Sequence, residues 1–153
     1  NTDLKFVTSE KFSGIFLPFT EEKKQLEEID NILKNTESVK TNIIPILESI
    51  NGLANLEEIC SFKNRVKVIS FGSHDLAKSI NLKISHNEKE ILEFRKNIVQ
   101  KSKNILKPID TSFLDFKNEE GFKNSCLLAK NLGFGGKACI HPNQINISND
   151  IFS

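Results

Sequence analysis

The sequence has no methionine, tyrosine or tryptophan, and only two arginines, Arg65 and Arg95, among 153 residues. Each shortage excludes something. Without Met, Asn1 is not a translation start, so residues upstream are expected to have been removed or left out. With two arginines, a net charge of +1 and acids interspersed among the lysines, no concentrated basic face is visible. Nucleic acid is therefore not an expected partner. No apolar run approaches the roughly 20 residues that span a bilayer, and no secretory signal is visible. No membrane partner is expected. The three cysteines, Cys60, Cys126 and Cys139, are far apart and show no CxxC or Cys/His ligand spacing. They read as reduced, buried thiols in a cytoplasmic protein.

What is present is an ordinary globular balance of 38% hydrophobic and 27% charged residues, enough for one domain, 1–153, with its own core. Short apolar runs alternate with amphipathic stretches. Gly14–Leu17 reads as a strand stopped by Pro18. Thr20 then caps a helix with Leu26, Ile29 and Leu33 on one face. Ile43–Leu47 is the second strand, after which Asn51-Gly52 turns into a short helix with Leu53, Leu56 and Ile59. Val66–Phe71 is the third strand, with Ser73 capping a helix around Asp75–Ile80. A longer helix spans about Asn87–Lys103, with Ser85 and Glu88 at capping-box spacing. In it Ile91, Arg95, Ile98 and Ser102 share one register. Ile105–Ile109 is the fourth strand. Asn118 opens a helix that Gly133 closes. Lys137–Ile140 is the fifth strand, and the tail after Pro142 reads as loop. Strands alternating with helices imply an α/β fold with a parallel sheet. The continuous apolar runs predict that both its faces are buried.

Two of these strands end on acids. Ile43–Leu47 stops at Glu48, and Val66–Phe71 runs into Gly72-Ser73-His74-Asp75. The carboxyl ends of parallel strands form the reaction face of such proteins. Two carboxylates about one βα unit apart could share a hard cation such as Mg²⁺. Alternatively, Glu48 caps a loop amide and Asp75 the helix behind it. Asp110, ending the fourth strand, is a weak candidate for acid–base chemistry, with a turn-forming role as the alternative, and Asp115 has the same two readings. His141 on the reaction face could move a proton or be a hydrogen-bonded structural histidine. Gly133-Phe134-Gly135-Gly136-Lys137 follows a helix and precedes a strand, the wrong order for a phosphate cradle. It reads as a helix end and tight turn.

Three segments carry a family resemblance. Ile46-Leu47-Glu48-Ser49-Ile50-Asn51-Gly52-Leu53 is similar to an apolar strand, Glu-Thr/Ser and Gly turn. Phe71-Gly72-Ser73-His74-Asp75-Leu76-Ala77 is similar to F-G-x-x-D-L. Gly133 through Ile145 is similar to a closing G-F-x-G-K-x-x-I-H-P-x-Q. In this order and separation, they resemble the citrate lyase β-subunit-like group of the HpcH/HpaI aldolase superfamily. The resemblance implies a TIM-barrel type fold, here a partial (β/α) barrel equivalent to strands four to eight. It implies Mg²⁺ on Glu48 and Asp75, and carbon–carbon cleavage of an acyl-CoA such as citryl-CoA to an oxo acid and acetyl-CoA.

Two departures stand out: Phe19 follows Pro18 where the family usually has Lys, and its substrate-binding arginine has no counterpart. Two readings therefore stay open, a Mg²⁺-dependent lyase and a truncated, non-catalytic barrel acting as a subunit or assembly partner. An open parallel sheet has uncovered edges, so the chain is expected to form a homo-oligomer or to belong to a longer chain or complex.

Overall fold

The computed structural model describes residues 12–35 and 41–153. Four parallel strands form one sheet in sequential order: β1 (Gly14–Leu17), β2 (Asn42–Leu47), β3 (Val68–Phe71) and β4 (Lys107–Ile109). Between them run α1 (Lys23–Asn35), α2 (Ile50–Ala54), α3 (Leu56–Ser61), α4 (Ser73–Ser79) and α5 (Leu92–Ser102), the last entered through a 3₁₀ turn at Lys89–Ile91. Two helices follow β4: α6 (Glu119–Leu132) and α7 (Asn143–Phe152). Sequential parallel strands with helical crossovers are the barrel type of α/β architecture. No helix among the described residues is long and apolar enough to cross a membrane.

The alternation of β2 shows how the sheet is covered. Ile43, Pro45 and Leu47 are buried, and Ile43 and Leu47 join Leu26, Leu33, Ile69 and Phe71 in the main core. The other face is half-open, against the expectation of burial on both sides. Ile44 and Ile46 are only half-buried, and Phe16 is 61% exposed.

Several local expectations are corrected. Thr20 does not cap α1; it is buried and its hydroxyl donates to Leu17 O. Gln25 takes over the helix start by accepting from the Glu21 and Glu22 amides. Ser49 caps α2 through the Gly52 amide, which places Asn51-Gly52 inside that helix. Ser73 is the first residue of α4 and not its cap. The Ser85–Glu88 capping box does not form: Ser85 bonds Glu90, while Glu88 turns inward. The fourth strand starts at Lys107 because the Ile105 and Leu106 amides close the end of α5 on Ser102 O. The fifth strand shrinks to a single parallel bridge, Asp110 to Lys137. Pairing stops there because the Ile140 amide is taken by the Gln144 side chain. That same Gln144 belongs to α7, so the tail is helical and not loop. Asn118 and Gly133 do cap α6, the latter at φ 109°. Cys60 and Cys126 are buried thiols as expected, but Cys139 is exposed.

At the amino-terminal ends of the strands, Asp30 is a buried staple. It accepts from Arg65 at 2.5 Å and Asn64 at 2.6 Å, and pairs with Lys34 at 2.7 Å. Arg65 also donates to Thr41 O. Burial works against the Asp30 charge, but Lys34, Arg65 and Asn64 outweigh it and hold the carboxyl below its ordinary value. A depressed carboxyl pKa stabilises the fold above the unfolded value, and that contribution is lost as pH falls through the folded value. Asp30→Asn is expected to cost about 2 kcal/mol at neutral pH, and less at a pH below the ordinary carboxylate range. Urea unfolding at the two pH values measures the difference, and an equal cost at both would refute the ionic origin.

Candidate metal centre

The reaction face is a rim of loops tied one to the next. The loop after β1 is tied to both ends of α2: the Ser49 hydroxyl donates to Glu21 Oε1 at 2.6 Å, and Asn55 Nδ2 donates to Glu21 O at 2.9 Å. In the β2–β3 register Leu47 lies opposite Phe71, so Glu48 and Gly72 leave the sheet side by side. The Gly72 amide donates to Leu47 O at 2.9 Å. The first turn of α4 is then pinned to the loop after β4. Ser73 donates to the Thr111 hydroxyl through both its amide and its own hydroxyl, and His74 Nε2 donates to Ser112 O. Gln144 of α7 completes the rim on Phe113 O.

Glu48 is buried and Asp75 exposed. The Phe19 amide donates to Glu48 Oε1 at 2.8 Å. A Cβ at Gly72 would stand 2.7 Å from both Glu48 Cβ and Oε2, so only glycine lets the two strand ends approach this closely. Burial pushes the Glu48 carboxyl up, the Phe19 amide pulls it down, and Asp75, near enough to share a hydrogen bond, pushes it up again. Among the described residues no cation is seen to act on Glu48. The fold thus brings the two expected ligands near each other as a pair of carboxyls. Oxygen donors of this kind suit a hard dication, which keeps several waters or substrate oxygens as its remaining ligands. Among the described residues no third Asp, Glu, His or Cys joins the pair.

Asp110 is placed elsewhere. It is fully buried, with Arg95 Nε on Oδ1, and Arg95 Nη2 and Lys137 Nζ on Oδ2. Strand alternation turns it away from the rim, and both oxygens are occupied, which corrects its candidacy for acid–base chemistry. Arg95 also holds Glu88, which accepts from Ser125. Asp115 is exposed and its carbonyl accepts from the Asn118 amide, a turn role. His141 stacks on Phe116 at 4.6 Å, and its Nδ1 accepts from the Asn143 amide, the hydrogen-bonded alternative of the two readings. Sequence reasoning missed the Glu88–Arg95–Asp110–Lys137 cluster, although a charge in register with Ile91 and Ile98 was its signal. The Phe19 amide on Glu48 is the loop amide of the alternative reading, although residue type held no signal of which amide it would be.

Fold and rim define an α/β protein of the (β/α)-barrel type with a paired-carboxylate reaction face. The HpcH/HpaI aldolase/citrate lyase family model matches residues 1–142, and the chain belongs to that family. It is 27% identical to the citrate lyase subunit beta of Haemophilus influenzae, over 99% of this chain and 54% of that protein. It is 31% identical to the mitochondrial citramalyl-CoA lyase of Rattus norvegicus, over 73% of this chain and 36% of that protein. The chain thus spans about half the length, or less, of these relatives. RipC from Yersinia pestis superposes with a TM-score of 0.90 at 27% identity, over 99% of this chain and 70% of that one. The citrate lyase β subunit of Mycobacterium tuberculosis complexed with oxaloacetate and magnesium shares the fold, with a TM-score of 0.82 at 20% identity, over 99% of this chain and 66% of that one.

Proposed function

We propose that this chain carries the Mg²⁺-binding part of a carbon–carbon lyase that cleaves a 3-hydroxyacyl-CoA, such as citryl-CoA, to an oxo acid and acetyl-CoA. The observation that carries the reading is the Glu48–Asp75 pair: two carboxyls near each other at the strand ends, where Asp75 pushes the Glu48 carboxyl up and, among the described residues, no cation is seen to act on Glu48. Magnesium in the related citrate lyase β subunit structure supports the same ion here.

Bound at this pair, Mg²⁺ supplies Lewis-acid stabilisation of the enolate-like charge that develops on carbon–carbon cleavage. The chain's own residues hold the pair in place. Phe19 fixes one Glu48 oxygen, and Gly72 lets β2 and β3 end side by side. The ties of Ser73 and His74 to Thr111 and Ser112 set the helix that carries Asp75. His141, with Nδ1 occupied as an acceptor, presents Nε2–H as a donor.

A second reading, a non-catalytic barrel acting as a subunit, is favoured by the arginines. Arg65 is engaged by Asp30 and Thr41, and Arg95 by Asp110 and Glu88. Neither offers a guanidinium to a substrate carboxylate. The half-open sheet face with its exposed Phe16 supports association with a second copy or a further barrel segment in either case.

Titration with Mn²⁺ followed by turnover assays with citryl-, malyl- and citramalyl-CoA separates the readings. Cation binding together with turnover that disappears on chelation is the expected result. Cation binding without turnover of any of the three would leave the subunit reading, and no cation binding would sink the lyase reading.

A further inference from the structure

Four non-glycine residues among those described have positive φ: Phe19 (48°), Asn81 (53°), Glu88 (53°) and Asn104 (67°). Asparagine visits this left-handed region readily. Glu88 is buried and held there by Arg95 and Ser125. Phe19 has neither excuse. Its phenyl is 53% exposed, so packing of the ring does not hold the backbone in place. Left-handed backbone at an L-residue costs roughly 1–2 kcal/mol, and such strain collects where a site requires it.

At Phe19 both main-chain polar groups are used. The amide donates to Glu48 Oε1 at 2.8 Å, and the carbonyl accepts from Gln25 Nε2 at 3.1 Å. Gln25 is itself fixed by the Glu21 and Glu22 amides. Gln25 therefore clamps the turn after Pro18, and the turn aims one N–H at one carboxylate oxygen. The other oxygen, Oε2, lies against Gly72, where a Cβ would stand 2.7 Å from it.

We propose that Phe19 is a positioning residue for the paired-carboxylate site: its left-handed main chain holds Glu48 by Oε1 and so leaves Oε2 as the oxygen for a bound cation. This rests on the metal reading above. The role belongs to the backbone conformation and not to the phenyl ring. What matters at position 19 is then tolerance of positive φ, which glycine and asparagine have and β-branched residues lack.

The test is Mn²⁺ affinity of the full chain carrying Phe19→Gly, Phe19→Asn, Phe19→Thr or Phe19→Val, with thermal unfolding run on each. Glycine and asparagine are expected to bind within about twofold of the wild type, because they keep the turn. Threonine and valine are expected to bind about tenfold more weakly while remaining folded. A second readout is independent of the metal: the residue-19 amide should be protected from hydrogen exchange in the wild type and lose that protection in Glu48→Ala. If valine destabilises the chain, threonine and the exchange measurement still decide the matter. Wild-type binding with equal affinity across the series, or an amide 19 that exchanges identically with and without Glu48, would overturn this inference alone. Failure of the wild type to bind Mn²⁺ would overturn the metal reading and this inference with it.

Discussion

Arg95→Leu is expected to destabilise the chain by about 3–5 kcal/mol, the cost of leaving a buried charge without its partner. Arg95 is fully buried. It holds Asp110 in a two-point grip at 2.9 Å and 2.9 Å, and reaches Glu88 at 2.9 Å. Burial works against its charge, and Asp110 and Glu88 more than reverse that, holding the guanidinium above its usual range. Lys137 supplies the second cation at 2.6 Å from Asp110. Two acids face two bases, and the cluster ties α5, the end of β4, α6 and the bridge segment into one unit. Removing Arg95 leaves two buried carboxylates against one buried ammonium.

Arg95→Lys should recover only part of the loss, because an ammonium cannot reproduce the planar two-point contact. Asp110→Asn should likewise behave as a stability variant. Urea unfolding at neutral pH measures all three. A cost below about 1 kcal/mol for Arg95→Leu would show that the cluster is dispensable.

The second large effect has opposite signs in two measurements. Glu48→Gln and Asp75→Asn should each weaken Mn²⁺ binding at least about 100-fold, since each removes one of the two charged oxygen ligands of the proposed site. In the metal-free chain Glu48→Gln should raise Tm by about 2–4 °C, the shift that 1 kcal/mol produces at this size. The sign follows from Glu48. Its pKa is raised, so the folded chain holds this proton more tightly than the unfolded chain does. That contribution is complete below the ordinary glutamate value and disappears as pH rises through the raised one. At neutral pH the Glu48 charge, disfavoured first by burial and then by Asp75, opposes folding, and Gln keeps the acceptor for the Phe19 amide while removing that charge. Added Mn²⁺ should stabilise the wild type and leave the variants unchanged. A metal-free Tm that falls in Glu48→Gln would mean that the Glu48 charge is structural glue.

The sequence by itself determined the alternation of strands and helices, the parallel sheet and the two acids at adjacent strand ends. Each follows from local chemistry. Apolar runs of strand length become strands, the residue after such a run lies on one rim, and Gly133 accepts the left-handed turn that ends α6. Local pattern also carried a signal that went unread: a charge on the buried stripe of α5 must meet a buried partner, and strand alternation turns Asp110 toward it. Only the tertiary structure decided which acid that partner is, because the Arg95 contact joins separate elements. It also decided that Gln144 ends the fifth strand and opens a helix, since a side chain outcompetes the sheet for one amide. The left-handed turn at Phe19 was beyond sequence altogether, because a phenylalanine gives no reason to expect positive φ. That turn exists because Glu48 and Gln25, brought together by the fold, engage both of its main-chain groups.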